Sequence, residues 1–542
     1  MDDSQKTASD PNKIVLSDTT ENFLASRSVR VKRETPLEGE EFKVSETVSF
    51  FGFAYEKMRN AVEFQEEHLI CRMAIRRIIN RRLAINPTGE GEGQNLAREI
   101  LWGRYVPANI LSQEDIVQFQ KIIDSYILFF KNIKETHSIH NATGLNDTIL
   151  DLMSCELEEA LNREQSIKKS AELYFFYQTL VGQVAIEGIS DDVKNTYFYV
   201  ATEKALGKND KTSIMYHLFL LRYGELHTHS HEEIHTIATY FHEYLSDTSK
   251  ILNNPFDEKL TKFAQKQTAP FRILYSVLEK NKGSELAILN SYSAVKDAVE
   301  AICNEKYAQT RVRLRNSAMR SITYIFLTKM VFVLIIEIPL TQLIYHELGL
   351  LPIVINTLLP PLLMGVIVSI ISPPSSTNTS RIYHRIVDII NADTTFEKKT
   401  THFTQDQTSR RPLLLLAFST AYLIVFMLVF ISLYVFLDML SFNIVSKAIF
   451  MFFLTVVTFF AYRIRQTAKE FVMEQENSLI ISSLTFLFLP ILYVGKILSA
   501  QVSKINVFII FFDYLIEAPF KFLIDIFDEW TRFIKARKDD LV

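Results

Sequence analysis

TYIFLTKMVFVLIIEIPLTQLIY, residues 323–345, is the first stretch of this chain long and apolar enough to cross a lipid bilayer. A helix rises 1.5 Å per residue, so about 20 apolar residues cover the hydrocarbon layer. Comparable runs follow at 350–371, 412–437, 444–462 and 479–498, with a more polar sixth from 506 to about 527. The apolar runs lie almost entirely beyond residue 320. The sequence therefore predicts an all-α chain, a polytopic α-helical membrane protein with a large N-terminal helical soluble domain.

Basic residues flanking these runs set an orientation. Arg311, Arg313, Arg315 and Arg320 precede the first run, and Arg381, Arg385, Lys398, Lys399, Arg410 and Arg411 fill the loop after the second. Arg463, Arg465 and Lys469 follow the fourth, whereas 346–349 and 438–443 carry neither Lys nor Arg. Because Lys and Arg are retained on the cytoplasmic side, the expectation is a multi-pass protein of the plasma or inner membrane with a cytoplasmic N-terminus. The lipid bilayer is then its first partner, and Arg311, Arg313 and Arg315 are candidate lipid-headgroup contacts.

Ionisable groups inside apolar runs are expensive and point to function. Lys329 and Glu337 stand eight residues apart in the first run, about 80° apart around a straight α-helix and so near the same side. Glu337 is the deeper, and Pro339 behind it frees a backbone carbonyl. In the second run, Asn356, Pro360, Pro361 and Gly365 suit a helix that unwinds to expose carbonyls. Asp513, Glu517, Lys521 and Asp525 recur every four residues in the sixth run and share one helix face. That helix either lies in the interface with its stripe among headgroups or spans the membrane with the stripe facing a path. In the latter case Arg532, Lys535, Arg537 and Lys538 place the C-terminus inside.

Four segments follow from this reading: a polar tail at 1–47, an all-helical cytosolic domain at 48–317, a transmembrane domain at 318–498, and an amphipathic C-terminal segment at 499–542. The tail, rich in Ser, Thr, Glu and Lys and lacking periodicity, is expected to be disordered; it has no apolar signal-peptide core. Within the cytosolic domain, Arg72, Arg76, Arg77, Arg81 and Arg82 line one helix, and Arg72 and Arg76 are further candidates for headgroup contact. A break at 86–93, NPTGEGEG, ends that helix.

His227, His229, His231, His235 and His242 crowd one stretch, and His231-Glu232-Glu233-Ile234-His235 matches the H-E-x-x-H spacing of zinc peptidases. There, two imidazoles one turn apart hold zinc and the intervening Glu activates water. Candidate ligands are thus His231 and His235, with Glu232 as base. Against this, Ser230 and the acidic pair Glu232–Glu233 look like an ordinary helix start.

Composition narrows the rest. With 58 Lys and Arg against 62 Asp and Glu, no broad nucleic-acid surface is expected. Three Cys build neither a disulfide framework nor a Cys-type zinc site. The chain has no GxxxxGK[ST] loop and no GxGxxG in a βαβ setting, so no cofactor is implied. A cytosolic protein partner for the helical domain and self-association both fit. Three functions remain: transport or channel-like passage of an ion or small solute, a non-transporting membrane-anchored scaffold or lipid-associated protein, and, more remotely, zinc-dependent hydrolysis at His231, Glu232 and His235.

Overall fold

The computed structural model describes residues 12–27, 67–106, 111–137, 143–346, 350–370, 374–391, 400–404, 412–468, 470–473, 489–497 and 530. The stripe at Asp513, Glu517, Lys521 and Asp525 lies outside the described residues, as does the first half of the fifth apolar run. Among the described residues the chain is all-α apart from one parallel pair of three-residue strands, Val184–Ile186 with Thr401–Phe403. Three helices, Tyr292–Tyr345, Leu416–Met439 and Ile444–Ala461, are long and apolar enough to cross a membrane by length and composition. The Leu350–Ile370 helix carries a shorter apolar segment, Pro352–Val366.

Internal contacts divide the chain into two compact units, one of 1–21, 182–188 and 262–505, the other of 22–181, 189–261 and 506–542. Position 317, where composition changes from soluble to apolar, falls inside the unbroken helix Tyr292–Phe332. The change in solvent preference is therefore carried along one helix rather than across a linker.

In the second unit, the Gln113–His137 helix is the central element, packed against Glu92–Trp102, Thr143–Leu161 and His231–Leu252. Its apolar face repeats at helical spacing through Phe119, Ile122, Ile123, Tyr126, Phe129 and Ile133, all buried. Phe129 meets Phe241 edge-on at 5.0 Å and Phe219 at 6.2 Å, the offset geometry that ring quadrupoles favour. The His231–Leu252 helix opens with a capping box, in which Ser230 Oγ accepts from the Glu233 amide and Glu233 accepts from the Ser230 amide.

In the first unit, Ser376–Ile390 packs on the Tyr292–Phe332 helix, while Leu350–Ile370 and Ile444–Ala468 pack on the same long helix further along. Leu416–Met439 turns most of its large apolar side chains outward, among them Leu416, Phe418, Ile424, Leu428 and Ile431. Residues 12–17 correct the disordered-tail expectation. Ile14 and Leu16 are buried, the Ile14 amide donates to the Asn290 carbonyl at 2.9 Å, and that of Ser17 donates to Ile390 at 2.9 Å. In the other unit Phe23 stacks on Phe175 at 4.4 Å. A few apolar anchors order this segment although its sequence shows no periodicity.

Candidate functional site

The first apolar run is not a uniform α-helix. The chain leaves Tyr292–Phe332, passes through a π-turn at Val333–Glu337 and resumes as Ile338–Tyr345, with Pro339 at the start of that last piece. A π-turn accommodates one extra residue. Eight residues across it therefore act as about seven, which reduces the offset between Lys329 and Glu337 from about 80° to about 20°. Lys329 Nζ and Glu337 Oε2 consequently lie 4.0 Å apart, with both side chains 0% exposed.

Asn356, also fully buried, reaches the same point from Leu350–Ile370. Its Nδ2 donates to Glu337 Oε1 at 2.6 Å and to the Ser446 carbonyl, on Ile444–Ala468, at 3.4 Å. Pro360 and Pro361 leave Leu350–Ile370 helical, so the expected unwinding beside Asn356 does not occur in this structure. The walls are apolar. Lys329 Nζ sits 4.2 Å from the centre of the Phe453 ring, and Ile325, Met364, Val457 and Ala461 close one end. At the other end, Asn443 Nδ2 donates to Thr341 Oγ1 at 3.5 Å, and Lys447 pairs with Asp438 while lying over Tyr434.

The hydrogen bonding of this cluster is incomplete. Lys329 Nζ, Glu337 Oε2 and Asn356 Oδ1 are buried without a hydrogen-bond partner among the described residues. At 4.0 Å the ion pair is beyond hydrogen-bond range. Buried pairs recover their desolvation cost only when the geometry is good and the remaining lone pairs are satisfied. Packing alone gives little reason to place one donor and two acceptors so close together yet unjoined.

Other predicted residues separate into different environments. Arg72 is buried rather than available to lipid: its guanidinium grips both carboxylate oxygens of Asp210, at 2.9 and 2.6 Å. Arg76 is turned to Asp151 at 2.5 Å and Asp147 at 2.9 Å. The basic face of that helix is thus largely neutralised within its own unit, which corrects the headgroup-contact expectation for Arg72 and Arg76. Arg311, Arg313 and Arg315 are exposed.

His231, Glu232 and His235 are exposed on the first turns of their helix, and no cluster of three ligating side chains suited to a metal occurs among the described residues. The neighbouring histidines are engaged elsewhere. His227 Nδ1 bonds Glu156 at 2.7 Å, and His229 Nε2 donates to the Tyr223 carbonyl at 2.6 Å. The zinc reading therefore lacks a built site.

Sequence reasoning missed the π-turn, Ser446, Asn443 and the Asp438–Lys447 pair, because nothing local in those residues announces their partners. It also missed a polar core in the second unit. His217 lies between Glu203 and Glu159, 2.9 Å from each, and Tyr199 donates to Glu203 at 2.7 Å. Burial opposes charge on this imidazole, but Glu203 and Glu159 outweigh it and push its pKa up to about 10. A cavity of about 230 Å³ nearby is lined by Glu156, Glu159, Arg163, Tyr216, Glu225 and His227. Glu156 there already accepts from Tyr126, His227 and two backbone amides, so this wall is structurally committed. Comparison with family models, curated proteins and solved structures returned no match to this chain.

Proposed function

We propose that the chain is a multi-pass α-helical membrane protein, N-terminus cytoplasmic, that passes an ion or small solute through its apolar bundle. The observation that carries this reading is the Lys329–Glu337–Asn356 cluster, whose three unpartnered polar atoms are buried at a π-turn. Intramembrane charges of this kind mark ion or proton sites, and π-turns concentrate at functional positions. The outward apolar surface of Leu416–Met439 supports placement in lipid, and exposed Arg311, Arg313 and Arg315 support a cytosolic level just before the first span.

A second reading, a membrane scaffold without permeation, draws on the complete burial of Lys329 and Glu337. On the transport reading, this conformation is the closed one and the helical unit governs its opening or recruits a partner. Ionic currents through the purified full chain in planar bilayers separate the two. Transport predicts currents that Glu337→Gln suppresses. A scaffold gives bilayers indistinguishable from protein-free ones.

A further inference from the structure

We propose that the species handled at the Lys329–Glu337–Asn356 cluster is the proton. This inference rests on the transport reading and names its substrate. The cluster presents one cation, one anion and one neutral amide, with Lys329 Nζ 4.0 Å from the free acceptor Glu337 Oε2 and a second free acceptor at Asn356 Oδ1. A metal cation entering here meets an ammonium, and an anion meets a carboxylate, so each is opposed by a charge of its own sign within a low-dielectric wall. A proton moving inside the cluster adds no net charge to it. The N–H bond of the Lys329 ammonium breaks, its electron pair stays on nitrogen, and an O–H bond forms on Glu337 Oε2. The product is a neutral amine beside a neutral acid, with no oxidant, reductant or other reactant required.

Geometry supports the step. Closing the 4.0 Å separation to hydrogen-bond length takes a side-chain movement of about 1 Å. Asn356 holds the other carboxylate oxygen at 2.6 Å, which keeps Oε2 as the open acceptor. The surrounding helices supply little competition. Leu350–Ile370 has no titratable residue. Ile444–Ala468 contributes Lys447, already paired with Asp438 and set over Tyr434, and carries Tyr462, Arg463 and Arg465 near its other end. On the helix that carries Lys329, Tyr324 precedes it by five residues and Arg320 by nine, and Tyr345 closes Ile338–Tyr345.

The test is dissipation of an imposed pH gradient by the full chain in liposomes loaded with a pH-sensitive dye, with potassium and valinomycin clamping the potential. Wild type is expected to dissipate the gradient faster than empty liposomes. Glu337→Gln should slow this by roughly a hundredfold, the scale on which positioned proton-transfer groups act, and Glu337→Asp should keep part of it. Lys329→Arg is the decisive variant, because arginine retains the charge but does not release a proton; flux should fall as far as in Glu337→Gln. If Lys329→Arg conducts protons like wild type, the relay is overturned. The double variant Lys329→Met with Glu337→Gln removes both charges together, so loss of flux in a folded protein is readable there. A carboxylic-acid carbonyl band in difference infrared spectra, missing in Glu337→Gln, would register the proton directly. Glu337-dependent movement of sodium, potassium or chloride without protons overturns the proton assignment and leaves transport standing. A wild type that moves nothing overturns both.

Discussion

Asn356 Nδ2 donates to Glu337 Oε1 at 2.6 Å across two helices, in a setting where both side chains are fully buried. The bond fixes one oxygen of the carboxylate and leaves the other toward Lys329. Replacing Asn356 by Leu removes the donor and leaves that oxygen unsatisfied as well, a loss of about 1–3 kcal/mol. Asn356→Leu should therefore lower stability in detergent denaturation. It should also reduce ionic currents without abolishing them, because Lys329 and Glu337 remain.

The ion pair itself is open to a double-mutant cycle. Lys329→Met or Glu337→Gln alone changes the charge balance of a buried pair, at a cost of about 3–5 kcal/mol where one charge is left uncompensated. Lys329→Met leaves the Glu337 carboxylate and Glu337→Gln leaves the Lys329 ammonium as the orphan charge, so both single variants should be damaging. The double variant should recover much of the loss, giving a favourable coupling energy in unfolding measurements.

Gly495 approaches the Ile444–Ala468 helix so closely that a Cβ would overlap the Thr455 carbonyl oxygen and come within 2.8 Å of Phe459 Cβ. Small residues allow this kind of backbone approach between apolar helices. Gly495→Leu should destabilise the bundle by about 1–3 kcal/mol through overpacking, while Gly365→Ala, whose nearest added contact would be Ile322 at 3.8 Å, should be tolerated. Thermal unfolding of both variants in nanodiscs checks the contrast.

In the second unit, His217 has its pKa pushed up to about 10 from an ordinary 6.5 by Glu203 and Glu159. A folded-state value raised above the unfolded one stabilises fully below pH 6.5, and the contribution is lost as pH rises through 10. The unfolding temperature, followed by Trp102 fluorescence in a Trp530→Phe background, should fall across that window. His217→Gln should be less stable at pH 6 and show a shallower fall.

Arg72 and Arg311 make opposite predictions. Arg72 is committed to Asp210 inside the fold, so Arg72→Met should cost about 3–5 kcal/mol in the unfolding of the full chain. Joint replacement of Arg311, Arg313 and Arg315 by Gln should leave stability nearly unchanged and shift the inserted orientation, read by protease access to the helical unit in vesicles.

How much of this the sequence discloses depends on where each residue's partner lies. Lys329, Glu337 and Asn356 stand out because charges and amides are rare in apolar runs, and the structure brings these three together. Their true alignment was not legible, since Val333-Leu-Ile-Ile-Glu337 contains no residue that announces a π-turn. A straight helix places Lys329 and Glu337 near the same side, about 80° apart, and the π-turn brings them closer into line. The role of Arg72 was hidden for a different reason: Asp210 is 138 residues away in the chain, and a basic helix face looks the same whether it meets lipid or distant acids. The HEEIH spacing misled in the other direction, because residues that suit a zinc helix also suit a capped helix start, and here Ser230 and Glu233 form the cap.

The most direct test of a path through the bundle is chemical access to position 337 in lipid. With Cys71, Cys155 and Cys303 replaced by Ser, Glu337→Cys in liposomes is exposed to a small membrane-impermeant thiol reagent, beside Ile335→Cys on the outward apolar face of the same turn. A path that opens during function predicts modification at 337 and none at 335. Equal inertness at both positions would contradict it and leave the cluster as a sealed structural pair.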